Sequence, residues 1–448
     1  MNHRHRQLEH VQMLHDIQRG SFDYFIHEVN EANGLIADKT APHWPASIAA
    51  VGMALTAYPI GVERDFMPRE KAVQRTLATL RFLMASEQGE SPTATGFRGF
   101  YYHFLDMQTG QRAWDCELSS IDTALLIAGV LTAAEYFRED NADERELRGL
   151  ADALYRRVDW PWMQNGQQTL CHGWKPETGF LPWHWTGYDE AMILYLLGLG
   201  SPTHPLPAES WEAWISSCSW QTVEGIEYLH AGPLFIHQMS HVWVDFRGIR
   251  DAFMRKRDSD YFENSRLAAE VQQRYAIRNP NRMAMYGEHC WGITASDGPG
   301  ATRRGQRIEG RTYYDYISRG VPFGPDDGTL APWAVVASLP FAPEMVLPTI
   351  EHLRTLQLHT ENSYGFKASF NATVPSTRHH PCGWVSAYHF GINEGPTVMM
   401  IENHLTGLIW RLTRGCAPLV QGLRRAGFEG GWIDQPRFTG TKILSPSR

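Results

Sequence analysis

Asp189 and Glu190 stand side by side behind Trp183-His184-Trp185-Thr186-Gly187-Tyr188, and the run Ala191-Met192-Ile193-Leu194-Tyr195-Leu196-Leu197 follows them. That run is apolar enough for a buried helix, so both acids fall near its N-terminus, where the helix dipole favours negative charge. Cleaving an acetal needs one carboxylic acid that keeps its proton near neutral pH and a second carboxylate that attacks or activates water. Walls of Trp183, Trp185 and Tyr188 would desolvate Glu190 and raise its pKa, as an acid catalyst requires. The plainer alternative makes Asp189 a helix cap and Glu190 a first-turn acid.

A second acidic group, Asp115, Glu117 and Asp122, precedes another apolar run. Ser119 or Ser120 suits the N-cap there, which offers Asp122 either a first-turn role or a place in a cleft. Asp115 and Glu117 are two apart in a loop opened by Trp114, and on extended chain such residues face the same side. Glu394, between Gly391 and Gly395 before the last long helix, is a third candidate acid.

His237, His241 and Asp245 follow an i, i+4, i+8 spacing that a continuous helix would turn into a ligand face. Gly232-Pro233 and the run Val242-Trp243-Val244 argue against such a helix, and no HExxH occurs, so no metal is expected. His237, His241 and Arg247 are read instead as groups that bind sugar hydroxyls, with a satisfied structural network as the alternative. Asp297-Gly298 and Asp326-Asp327-Gly328 read as turns. The absence of G-x-S-x-G, a P-loop and a dinucleotide fingerprint removes serine-hydrolase and nucleotide chemistry, and no cofactor is expected.

The elements that must carry these residues are mostly helical. Apolar spacing predicts helices over 6–30, 47–58, 64–87, 122–137, 142–158, 188–199, 208–217, 260–278, 343–357 and 395–413. The aromatic stretch 96–105 reads as a short strand. Residues 286–333 have no helical period and are rich in Gly, Pro, Asp and aromatics, the composition of a functional loop. Paired helices with chemistry on the loops between them suggest an all-α, α/α toroid. No Ser/Gly linker divides the 448 residues, so one catalytic domain over 1–448 is expected.

Aromatic residues make up 12% of the chain, including 16 Trp, and many lie beside Gly, His or Pro rather than in apolar runs. Indole faces stack on pyranose rings, so Trp44, Trp185, Trp291 and Trp384, with Tyr188, are read as substrate-binding surfaces. A formal net charge of −8 and no block of Lys or Arg exclude nucleic acid as a partner. Six scattered cysteines form no CxxC and are expected to be reduced. No apolar run of membrane-spanning length occurs. The first residues lack a signal-peptide core, so a cytoplasmic location is expected, or a periplasmic one where a leader has been removed.

Several motifs in order resemble the glucoamylase-like domain family: Leu118-Ser119-Ser120-Ile121-Asp122-Thr123-Ala124-Leu125, Tyr188-Asp189-Glu190-Ala191-Met192-Ile193-Leu194-Tyr195, Pro233 to Gln238, Ser240 to Arg247, Trp291 to Gly298, Asp327 to Pro332 and Gly391 to Asn403. The resemblance runs over about 115–413. It implies an (α/α)6 toroid and metal-independent activity on β-1,2-glucan or a related glucan, as in glycoside hydrolase family 144 and its relatives, including enzymes that release sophorose. It favours Glu190 as a catalytic residue, then the acids of the Asp115–Asp122 segment. The family often carries Asp-Gln where this chain has Asn393-Glu394. The expected function is therefore hydrolysis of a β-linked glucan or glucooligosaccharide, endo-acting or sophorose-releasing. A transglycosylase or phosphorylase on the same glucans, or a non-catalytic glucan-binding protein, are the alternatives.

Overall fold

In the computed structural model, residues 3–358, 364–374 and 380–435 are described. Helices follow one another as α1 (His3–His27), α2 (Ile48–Glu63), α3 (Arg69–Ala85), α4 (Ser120–Tyr136), α5 (Ala142–Arg157), α6 (Met192–Gly200), α7 (Glu209–Ile215), α8 (Ala252–Arg255), α9 (Tyr261–Arg278), α10 (Pro332–Ala337), α11 (Pro343–Thr355), α12 (Gly391–Leu405), α13 (Leu408–Gly415) and α14 (Ala417–Arg425). The mostly helical class is as expected, and the strands among the described residues are short.

Two kinds of helix separate by composition. α2, α4, α6 and α12 are buried almost around their whole circumference, which only an interior helix can be. α5 buries Leu147, Ala151, Leu154 and Tyr155, one stripe at helical spacing, and so belongs outside. The inner helices neighbour one another as α10–α12–α2–α4–α6. Between α6 and α10 two 3₁₀ turns, Leu234–His237 and Met239–Val242, complete the circuit. Ser240 Oγ accepts from the Ile193 N–H of α6 at 3.1 Å, and Gln238 donates to Ala334 O of α10 at 2.6 Å. α1 packs on α12, α3 on α5, α5 on α4, α11 on α10 and α14 on α6.

The α2–α4 crossing brings backbone against backbone. A Cβ on Gly129 would lie 2.1 Å from Gly52 O, and one on Gly52 would lie 2.3 Å from Leu125 O. Only glycine allows that approach.

A five-stranded antiparallel sheet, in the order 96–97, 100–102, 118–119, 173–175 and 179–180, lies against the N-terminal end of α4. The single strand expected over 96–105 is thus a hairpin plus a separate pair, Phe104–Leu105 with Ala46–Ser47. Several helix boundaries also differ. The helix expected over 47–58 runs on through Pro59 to Glu63 as α2. Pro68 caps α3, so 64–68 is not helical. The helix expected from 188 begins at Met192, leaving Asp189 and Glu190 on the turn before it. The helix expected over 395–413 is two, because Gly407 adopts φ +69° between α12 and α13. The stretch 286–333 supplies two hairpin-like pairs, 295–296 with 317–318 and 306–308 with 311–313. The sequence from Gly427 onward is rich in Gly and Pro and reads as a tail; residues 427–435 of it are described and include a 3₁₀ turn, Gly431–Asp434, and the rest lies outside the described residues.

None of the six cysteines forms a disulfide. No helix among the described residues is long and apolar enough to cross a membrane.

Candidate active site

A cavity of about 550 Å³ opens where the N-terminal ends of α4, α6 and α12 meet the loop 295–318. Glu117, Asp122, Asp189 and Glu190 all line it, with His103 and Asn393 beside them. Its apolar walls include Trp185, Phe235, Tyr316 and Trp333.

Local structure places each acid. Leu118–Ser119 is the middle strand of the sheet, and Ser119 caps α4 by accepting from the Asp122 N–H at 3.2 Å. The Ser119 hydroxyl in turn lies 2.5 Å from Asp122 Oδ2. So Asp122 is both a first-turn acid and a cavity residue. Glu117 precedes the strand. A Cβ on Gly173 of the neighbouring strand would come within 3.0 Å of the Glu117 Cγ, so glycine leaves Glu117 its space.

Across the cavity, Asp189 Oδ1 accepts from the Ala191 N–H at 3.0 Å and from the Trp214 indole at 2.9 Å. Burial nevertheless pushes its pKa up to about 7, against those two hydrogen bonds. Glu190 has no protein donor to its carboxyl among the described residues. Burial first, then the charges of Asp189 and Asp122, push it up to about 8, while His103 pulls the other way. Glu117 behaves oppositely. Burial would raise it, but the His103 hydrogen bond and charge hold it below the usual carboxylate range. The cavity therefore holds two carboxyls inclined to keep a proton, Glu190 more than Asp189, and one, Glu117, inclined to lose it.

Trp185 joins the two acid-bearing turns. Its indole N–H donates to Ser120 Oγ at 2.9 Å, and its ring stacks on His172 at 3.8 Å and 17°. A second chamber of about 460 Å³ shares His103, Glu117, Tyr316 and Ile392 with the first. Trp44, Trp114 and Phe390 line it, with Asp38 and Lys39. Trp44 donates to Asp38 Oδ2 at 3.0 Å, and the Lys39 ammonium sits 3.8 Å from its ring centroid.

Other expected site residues lie elsewhere. Asp115 lines neither chamber and is exposed, because Trp114 and Asp115 both adopt left-handed φ (+56° and +49°) and end the extended geometry that would have aligned it with Glu117. Glu394 is buried and bonded to His389 Nδ1 at 3.0 Å. It lies within α12, whose residues at the cavity are Ile392 and Asn393. The Tyr188 ring is buried against Tyr261 and His237. Trp183, expected as a wall, is 63% exposed.

The 3₁₀ turns break the helical spacing of His237, His241 and Asp245. His237 Nε2 pairs with Ala231 O at 3.1 Å, and His241 Nε2 with Ser265 Oγ at 3.0 Å. Burial lowers both to about 3, so both are neutral and structural. Arg247 forms a two-pronged pair with Asp245, 2.7 Å on each prong, and covers Trp410. Trp291 is a core residue donating to Thr349. Trp384 is half-buried in a strand beside Asn371 and lines neither chamber. Asp297, read as a turn residue, instead lines the second chamber and accepts from Ser369 at 2.7 Å and Ser386 at 2.5 Å.

His103, Asp38 and Tyr316 were not singled out from the sequence. His103 sits in an aromatic strand whose alternation marks a face but not its chemistry, and Tyr316 lies in the stretch without a period. The donor atoms of His103, Glu117 and Asp122 lie within 4.8 Å of one another, the one grouping among the described residues with metal-ligand spacing.

Residues 182–417 match the model of the glycoamylase family, described as "putative glucoamylase". The chain is 29% identical over 450 residues to an exo-β-1,2-glucooligosaccharide sophorohydrolase (non-reducing end) of Parabacteroides distasonis, covering 92% of this chain and 57% of that protein. It superposes on the Chitinophaga pinensis endo-β-1,2-glucanase, solved with sophorotriose and glucose, at a TM-score of 0.81, 25% identity, and coverage of 94% and 99%. On a β-1,2-glucanase of Parabacteroides distasonis the TM-score is 0.79 at 26% identity, with coverage of 93% and 60%. The chain thus spans little more than half the length of each of these Parabacteroides matches.

Proposed function

The chain belongs to the glycoamylase family, and from that premise we propose that it is a glycoside hydrolase acting on β-1,2-linked glucan or its oligosaccharides. Similar solved structures are β-1,2-glucanases, and a similar sequence is that of a sophorohydrolase acting on β-1,2-glucooligosaccharides. The observation that carries the reading is one cavity lined by two acids in opposite settings: Glu190 is buried with no protein donor to its carboxyl among the described residues, which pushes it up, and Glu117 is bonded to His103 at 2.9 Å, which holds it low.

In this reading Glu190 donates its proton to the glycosidic oxygen as the C1–O bond breaks. Glu117 takes a proton from the water whose oxygen bonds to C1, and the product gains one reducing end per bond cleaved. Asp122 orients the Glu117 side of the cavity. Trp185 offers a stacking face, and Trp44 extends the aromatic lining into the second chamber.

The test is a panel of linkage-defined glucans with product sizing, run on wild type and Glu190→Gln. Release of new reducing ends from β-1,2-glucan by wild type alone is expected. Near-normal turnover in Glu190→Gln rejects the acid assignment, and binding of glucan without cleavage by wild type rejects the hydrolase reading.

A further inference from the structure

His103 stands at the junction of the two chambers and lines both. Its Nδ1 is 2.9 Å from Glu117 Oε1, and its Nε2 is 3.7 Å from Asp122 Oδ2. Its backbone N–H donates to Glu117 O at 3.0 Å, and its ring lies flat on Phe104, 3.9 Å between centroids. The charged and titratable groups around it are Glu117 before the middle strand, Asp122 on α4, Asp38 after α1 and Glu190 across the cavity, with Lys175 beyond Glu117.

The two ring nitrogens of His103 neighbour different carboxyls: Nδ1 is hydrogen-bonded to Glu117, and Nε2 lies at ion-pair rather than hydrogen-bond distance from Asp122. A neutral imidazole has one N–H, so one carboxyl would then face a lone pair. The doubly protonated ring instead donates to Glu117 and sets its positive charge 3.7 Å from Asp122.

We propose that His103 is a positioning residue, an imidazolium that bridges Glu117 and Asp122, keeps Glu117 ionised, and leaves Glu190 as the proton holder of the cavity. Its catalytic consequence rests on the hydrolase reading above; its charge state does not. Burial opposes the charge, but Asp122 and the Glu117 hydrogen bond outweigh it and hold His103 at about 9. An imidazolium also has no lone pair to offer, so the three-residue grouping would not take a metal while His103 carries both protons.

The charge state is read by NMR titration of ¹³C-histidine-labelled protein, with His103→Asn assigning the resonance. A midpoint well above the ordinary histidine value, falling in Glu117→Gln, is expected. A midpoint near 6.5, or one indifferent to Glu117→Gln, overturns the proposal. So does stoichiometric binding of zinc at pH 7 that His103→Asn abolishes. None of these readouts needs a known substrate, so they stand or fall apart from the hydrolase assignment. On a substrate that the wild type cleaves, His103→Asn is expected to lower kcat roughly tenfold with little change in KM. The acidic limb of its pH profile should move to higher pH, and His103→Arg, which retains a cation, should move it back. An unchanged acidic limb in His103→Asn also overturns the proposal.

Discussion

The indole N–H of Trp185 donates to Ser120 Oγ at 2.9 Å, and that bond ties the turn carrying Glu190 to the start of the helix carrying Asp122. Ser120 Oγ itself donates to Cys171 O at 2.8 Å, so Trp185 completes a chain from α4 through the loop 171–185. Trp185→Phe removes the donor and keeps a ring on His172, and should cost about 1 kcal/mol of stability. Trp185→Ala also removes the ring, and should raise KM for the glucan roughly three- to tenfold. Thermal melts and initial rates on both variants check this; equal KM values in Ala, Phe and wild type would leave Trp185 as a structural tie alone.

Glu190 links activity and stability through one proton. As the proposed acid it must be protonated, so activity should fall as pH rises through about 8, while the low-lying Glu117 carries the acidic limb below the usual carboxylate range. For stability the sign is the reverse of an ion-paired acid. From about pH 4.5, the value of a free glutamate, to about 8 the unfolded chain releases this proton and the folded chain keeps it. Folding stability is therefore lost across that window. Glu190→Gln removes the loss. Its melting temperature should match wild type near pH 4, exceed it increasingly up to pH 8, and level off above. One pKa unit is about 1.4 kcal/mol, so the gain should approach roughly 5 kcal/mol. A difference independent of pH would show that the carboxyl is not held neutral.

Glu117 and the two outlying acids, Asp115 and Glu394, separate by burial and contact. Asp115→Asn should leave turnover within about twofold, since the side chain faces solvent and lines neither chamber. Glu117→Gln should lower kcat by about 10²–10⁴. Glu394→Gln loses the charged partner of buried His389 and should cost about 1–3 kcal/mol of stability, with kcat of the folded enzyme little changed. Melting curves beside single-substrate kinetics distinguish the three; a kcat collapse in Asp115→Asn would place that loop over the cavity in the working enzyme.

The helices and the acids at their starts were legible because both follow local rules. Apolar runs marked α2, α4 and α6, and the Ser119-Ser120 pair marked the start of α4 to within two residues, with Ser119 as the cap. The turn at Asp115 was not legible, because two successive left-handed residues that are not glycine carry no reliable sequence mark. His237 and His241 looked like ligands because their spacing is that of one helix face. Their partners, Ala231, Asn264 and Ser265, come from outside the 3₁₀ segment, where spacing gives no information. His103 was missed for the same reason. Its chemistry comes from Glu117 and Asp122, brought to it by strand pairing across the sheet. Glu394 and Asn393 show the finest limit: adjacent residues on α12 face different neighbours, and the helix start at Gly391 decides which one reaches the cavity.

Asp189 lies beside Glu190 but is engaged differently. Its Oδ1 accepts from Ala191 and Trp214, bonds that the carbonyl of asparagine can also accept, so Asp189→Asn should fold normally. After burial, the Asp189 charge is the largest influence raising Glu190. Asp189 itself sits at about 7, so that charge is present over the pH range where Glu190 loses its proton. Removing it should let Glu190 ionise more readily and bring the alkaline limb of the activity profile to lower pH. Turnover at pH 5–6 should stay within several-fold of wild type, because the acid is protonated there in both proteins. Rate profiles from pH 4 to 9 on the two proteins make the comparison. Loss of turnover at every pH in a folded Asp189→Asn would instead mean that Asp189 exchanges a proton with the substrate or with water.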